Sequence, residues 1–166
     1  MNIFGVVGWK NSGKTGLMER LVADITARGF SVSTVKHAHH TFDVDQPGKD
    51  SFRHRNAGAQ QVVLASANRW ALMSEMRGAP EPSLEALLAQ LQPVDLVLVE
   101  GYKRDFHPKV EAHRSATGQS LIAPDDPTIK AVASDVAHSD LGRPVFDLND
   151  TDAIADFILT ACGLQK

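Results

Sequence analysis

The chain begins MNIFGVVGWKNSGKTGLMERLVADI, and the octet GWKNSGKT, Gly8 to Thr15, constrains everything after it. It matches G-x-x-x-x-G-K-[S/T] at every fixed position, with an apolar run before it and an amphipathic pattern after it. In a chain of 166 residues such a match arises by chance on the order of once in a hundred, and less often in a strand-loop-helix setting. A glycine turn that only caps a helix explains the glycines but not a lysine and a hydroxyl in tandem. The motif therefore predicts a P-loop. Gly8 and Gly13 let the backbone curl so that the amides from Asn11 and Ser12 through Gly13, Lys14, Thr15 and Gly16 point at phosphate oxygens, assisted by the dipole of the helix that follows. Lys14 is expected to reach the β- and γ-phosphates, and Thr15 to offer its hydroxyl to Mg²⁺.

The pattern around the motif alternates. NIFGVV (Asn2 to Val7) reads as a buried strand, and Leu17, Met18, Leu21, Val22 and Ile25 fall on one helical stripe that stops at Gly29. SVSTVK (Ser31 to Lys36) and VDLVLVE (Val94 to Glu100) read as further strands, the latter apolar enough to be buried on both faces. Val62 to Met76 reads as an antiparallel hairpin and Glu81 to Leu91 as a helix capped by Ser83. IKAVAS, PVFDL and the helical DTDAIADFILTACG complete the chain. The expected class is α/β: a P-loop NTPase-like, mostly parallel sheet with helices on both faces and an additional antiparallel hairpin, forming one nucleotide-binding domain over residues 1–166. A hydrophobic fraction of 43% supports one buried core, and a net charge of −3 argues against binding nucleic acid or a membrane through bulk charge. The single Cys162 cannot form an internal disulfide and reads as a small buried hydrophobe. With neither a secretory leader nor a spanning run in view, a cytoplasmic location is expected.

A P-loop calls for an acidic partner on the same sheet edge. Glu100, closing LVLVE, is the candidate for water-mediated contact with Mg²⁺, whereas Asp95 begins that strand and belongs at the opposite edge. The segment KHAHHTFDVDQPGKDSFRHR (Lys36 to Arg55) carries four histidines, four Lys/Arg and three aspartates. A metal tract, a solvated loop and an anion-handling surface are all open readings. The last is favoured, because structural zinc sites usually recruit cysteines and none is nearby. In that reading Lys36, Lys49, Arg53 and Arg55 contact phosphate, His37, His39 and His40 supply hydrogen bonds, and Asp43 or Asp45 reaches Mg²⁺. Within it, PGKDSFRHRNAG is expected to form a short helix, with Asp50 as its cap and Gly58 at its stop. Beyond Glu100, GYKRDFHPKVEAHR adds Lys103, Arg104, Lys109 and Arg114, and the alternation in KVEAHR suggests either a charged edge strand or a partner surface. There is no N-K-x-D element to read guanine; Asp135, after AVAS, is the substitute, with a plain turn aspartate the competing reading. No water-orienting glutamine or arginine finger stands out, so hydrolysis is expected to be slow.

Together GWKNSGKT, VKHAHHTFDVDQPGKDSFRHRNAGA, LVLVEGYKRDFHPKVEAHR and DLNDTDAIADFI resemble the MobB family over nearly the whole chain. That family is the GTP-binding adapter of molybdopterin-guanine dinucleotide biosynthesis. The resemblance implies a homodimer that binds GTP and Mg²⁺, has weak GTPase activity and assists the guanylyltransferase that attaches GMP to the molybdenum-bearing pterin. It also makes Lys103 and Lys109 candidates for contact with that partner or with molybdopterin. One departure is Gly16, where the family pattern usually continues GKTT; the loss of a hydroxyl toward the α-phosphate predicts weaker nucleotide binding. A metal-delivery GTPase using His37, His39 and His40, and a small-molecule P-loop kinase using Arg53 and Arg55, are the alternatives.

Overall fold

In the computed structural model, which describes residues 1–38 and 42–165, the motif sits between β1 (Asn2–Val7) and α1 (Lys14–Ala27). The chain continues through β2 (Val32–Lys36), α2 (Asp50–Asn56), β3 (Gln61–Ala65), β4 (Trp70–Ser74), α3 (Leu84–Leu88), β5 (Leu96–Glu100), β6 (Lys109–His113), β7 (Ile129–Ser134), β8 (Val145–Asp147) and α4 (Thr151–Ala161). Contacts divide it into two compact units, Met1–His37 with Leu84–Lys166, and Ala38–Ser83.

The larger unit holds a six-stranded sheet in the order β2-β5-β1-β6-β7-β8, parallel at every pairing. Central parallel strands are covered on both faces and so must be apolar throughout. Phe4, Val6, Val7 and Leu96 to Val99 are accordingly inaccessible to solvent. One face packs Phe4, Val6, Leu98 and Val110 under Leu17, Leu21 and Ile25 of α1 and Ile154 and Ile158 of α4. On the other, Leu84 and Leu88 of α3 cover Val97 and Val99, while Leu121 to Ala123 cover Val7 and Val132. Arg28 ties the end of α1 to α4 through Asp152 and Asp156. The helix stripe, the stop at Gly29 with φ 87°, and the placing of helices on both sheet faces agree with the sequence reading. Asp95 lies at the opposite edge, as expected, where its carboxylate accepts the N–H and hydroxyl of Ser31 at 2.7 Å each.

Three expectations need correction. The helix expected over Glu81 to Leu91 is confined to Leu84–Leu88. Asp50 is the first residue of α2 rather than its cap; Lys49 takes the cap position and no side chain closes the turn. Most consequentially, β6 is no edge strand. It lies between β1 and β7, and all its residues are buried. Its alternating polar side chains find their partners inside the protein, on segments outside the strand. The Lys109 ammonium donates to the carbonyls of Asp105 and His107 and to the Thr128 hydroxyl. The Glu111 carboxylate accepts the amides of Ile122 and Ala123, and His113 pairs with Ser134 Oγ at 3.0 Å. Lys109, with no exposed surface, therefore cannot serve as the anion or partner contact expected of it.

The smaller unit contains α2 and the antiparallel hairpin β3–β4, registered Val63 against Leu72 and Ala65 against Trp70. Asp43 accepts a two-pronged contact from Arg55, at 2.9 and 2.7 Å, which holds its carboxyl down at about 2. Asp45 accepts the Ser51 hydroxyl at 2.8 Å. These pairs fold the segment before α2 back onto it.

Candidate functional site

Residues 8–13 leave β1 and enter α1 through a loop in which Gly8, Asn11 and Gly13 have φ of 148°, 64° and 93°. At Gly8 even an alanine would fail, since a Cβ there would stand 2.3 Å from the Ala112 carbonyl oxygen and 2.5 Å from Ser12 Oγ. Gly13 occupies the N-cap position in the left-handed region, so it supplies no capping side chain, and the first turn of α1 holds no acidic residue. The amides of that first turn have no partner within the helix by geometry. Helix α4 shows the contrast, because there Asp150 accepts the amide of Ala153. The open end of α1 instead faces a cleft of about 380 Å³ lined by Asn11, Gly13, Lys14, Thr15, Gly16 and Arg114. Ser12 is buried against this loop, its hydroxyl without a partner among the described residues.

Cations and one carboxylate converge here. The Lys14 ammonium donates to the Trp9 carbonyl at 2.6 Å, an acceptor inside the same loop. Burial, then the neighbouring Lys103, lowers its pKa, a cost that an anion in the cleft would relieve. Thr15 Oγ1 donates to Glu100 Oε1 at 3.0 Å, and the Lys36 ammonium stands 3.4 Å from the same oxygen. Glu100 is nearly buried. The parallel register that sets Val6 beside Glu100 and Lys36 beside Glu100 delivers all these groups to one end of the sheet. A hydroxyl and a carboxylate within hydrogen-bond reach of each other are hard oxygen donors suited to Mg²⁺. His37 follows Lys36 and lies against Tyr102, with ring centroids 4.9 Å apart.

The other expected residues fall elsewhere. Lys103 belongs to the loop's surroundings: its ammonium sits 4.2 Å from the Trp9 ring centroid, while the Trp9 indole N–H donates to the Ser120 carbonyl at 2.8 Å. Asp135 accepts the amide and hydroxyl of Ser115, which lower its pKa. Lys49, Arg53 and Asp43 lie in the smaller unit, where Arg53 is exposed and stands 3.7 Å from Asp50. His39 and His40 lie outside the described residues, and among the described ones no group of three or more His, Cys, Asp and Glu could hold a metal ion. Arg114 was seen in the sequence only as one more charge after Glu100; its place in the cleft depends on β6 being an inner strand beside β1.

An all-parallel sheet flanked by helices, with a glycine-rich loop leading from its first strand into an uncapped helix, defines a P-loop NTPase-like protein. The family model of molybdopterin guanine dinucleotide synthesis protein B matches residues 3–135, and the chain belongs to this MobB family. It is 42% identical over 159 residues to the molybdopterin-guanine dinucleotide biosynthesis adapter protein of Haemophilus influenzae, covering 94% of this chain and 86% of that one. The protein of the same name from Escherichia coli is 38% identical, with 95% and 91% covered. Among solved structures, a MobB protein homolog from Bacillus stearothermophilus superposes with a TM-score of 0.72 at 33% identity, covering 99% of this chain and 100% of its own. Bacillus subtilis MobB gives 0.76 at 25% identity, with 96% and 97% covered.

Proposed function

We propose that this protein is an adapter in molybdopterin-guanine dinucleotide biosynthesis that binds GTP with Mg²⁺ at the Gly8–Gly16 loop and assists the guanylyltransferase of that route. Family membership and relatives named as such adapters over most of their length support the role. The observation that carries nucleotide binding is the uncapped first turn of α1 opening on a cleft beside Lys14, with the Thr15–Glu100 pair at its side. The amides of Gly13 to Gly16 would hold phosphate oxygens, and Lys14 would exchange the Trp9 carbonyl for the β- and γ-phosphates. Thr15 and Glu100 would hold Mg²⁺, which when bound neutralises charge on the triphosphate.

Hydrolysis is slow in this reading, because among the described residues lining the cleft there is no glutamine to orient an attacking water. Asp135 reads the guanine edge, the role its exposed position after β7 allows. The protein acts in the cytoplasm as a homodimer, and the hairpin supplies the self-association surface: Val63 and Trp70 are 63% and 61% exposed on one face of β3–β4. Capture of the guanylyltransferase by this protein with and without Mg²⁺ and GTP tests the proposal. Retention that depends on nucleotide is expected; equal retention under all conditions, or none, contradicts it. Transfer of labelled γ-phosphate to a small acceptor would establish the kinase alternative instead.

A further inference from the structure

We infer that Arg114 is a phosphate-binding residue of this cleft, gripping the α- and β-phosphate end where Gly16 offers no hydroxyl. The inference rests on the nucleotide reading above. Strand β6 runs parallel to β1 with Glu111 level with Val7, so Arg114, just past its end, emerges alongside the loop. A Cβ built on Gly13 would stand 3.0 Å from Arg114 Nε and 3.5 Å from Nη2, which places the guanidinium across the mouth of α1. It lines the cleft together with Gly13, Lys14, Thr15 and Gly16.

The backbone there is anchored, since the Arg114 carbonyl accepts the Thr117 amide and hydroxyl. The guanidinium itself meets no acceptor among the described residues. Three other arginines of the larger unit are committed: Arg20 donates to Thr151 and Leu148, Arg28 to aspartates, and Arg143 to backbone carbonyls, while Arg104 is exposed and does not line the cleft. A planar fork held over an open helix N-terminus, with its donors unspent, matches the geometry of a phosphate. In a P-loop the lysine addresses the β- and γ-phosphates, and the backbone amides cradle the α- and β-phosphates. Arg114 lies over Gly13 and lines the cleft with Gly16, so it belongs with the amides. At Gly16 a Cβ would meet nothing nearer than Arg20 Nη1 at 3.6 Å, so a threonine fits there and could share the task.

The test is calorimetric titration of the parent, Arg114→Ala, Arg114→Lys, Lys14→Ala and the double variant Arg114→Ala with Gly16→Thr, each with GDP and GTP in Mg²⁺. Arg114→Ala should weaken GDP and GTP by the same factor, about tenfold, the scale of one charge-assisted hydrogen bond. Arg114→Lys should recover only part of this, and Gly16→Thr should restore affinity in the Arg114→Ala background. Arg114→Ala titrating like the parent while Lys14→Ala does not bind overturns the inference and leaves the nucleotide reading intact. A loss confined to GTP overturns the assignment to the α and β end. A parent that binds neither nucleotide removes the nucleotide reading, and the inference with it.

Discussion

At Gly8 the chain has no alternative residue: the Ala112 carbonyl and the Ser12 hydroxyl occupy the space where any side chain would begin. Gly8→Ala should therefore abolish GTP binding and lower the urea midpoint, whereas Gly16→Ala, in open space within a helix, should raise the unfolding free energy by about 1 kcal/mol and the midpoint with it. His107 carries a different consequence. Both its ring nitrogens are buried without partners among the described residues, and burial, then Lys109, holds its pKa at about 4 instead of the ordinary 6.5. Between those values the unfolded chain binds the additional proton, so stability falls as pH drops from 6.5 toward 4. Urea melts across that window should show the decline in the parent and a flatter profile in His107→Phe; identical slopes would assign the effect elsewhere. The loop glycines, Lys14, Thr15 and Glu100 were legible as residues because a motif fixes their spacing. Arg114 and the Lys103–Trp9 contact were not, because nothing local in the sequence records that β6 and the segment after β5 return to the loop.

Among the elements, the strands of the parallel sheet were legible where burial on both faces demanded apolar runs, as in β1 and β5. Strand β6 shows why that logic fails elsewhere. A charged alternation facing water and one whose charges are consumed inside the protein are written alike, and only the partners at Thr128, Ile122 and Ala123 distinguish them. Truncating a saturated buried ammonium strands its acceptors and leaves a cavity. Lys109→Ala should thus cost about 3 kcal/mol in urea unfolding, while Arg53→Ala on the exposed face of α2 should change stability by less than about 0.5 kcal/mol. Comparable effects for the two would refute the inner-strand assignment of these charges. The short α3 was overread for a related reason: Leu84, Leu88 and Leu91 all pack on Val97 and Val99, but only Leu84–Leu88 needs to be helical to put them there.

Over the whole molecule, the sequence expectation of one domain meets a chain whose contacts form two compact units, with the P-loop, Glu100 and Arg114 in the larger and Arg53 and the hairpin in the smaller. Self-association belongs to this scale. If the hairpin carries it, Val63→Glu with Trp70→Asp should convert a dimer to a monomer in sedimentation velocity, and an unchanged sedimentation coefficient would exclude that face. The central claim is that the open turn of α1 and the Lys14 ammonium bind the phosphates of a magnesium nucleotide. Its most direct measurement is a calorimetric titration of the protein with GTP in Mg²⁺, alongside Lys14→Ala. Saturable heat at one site per chain, lost in Lys14→Ala, is the predicted result; no heat in the parent, or equal heat in both, would contradict the account.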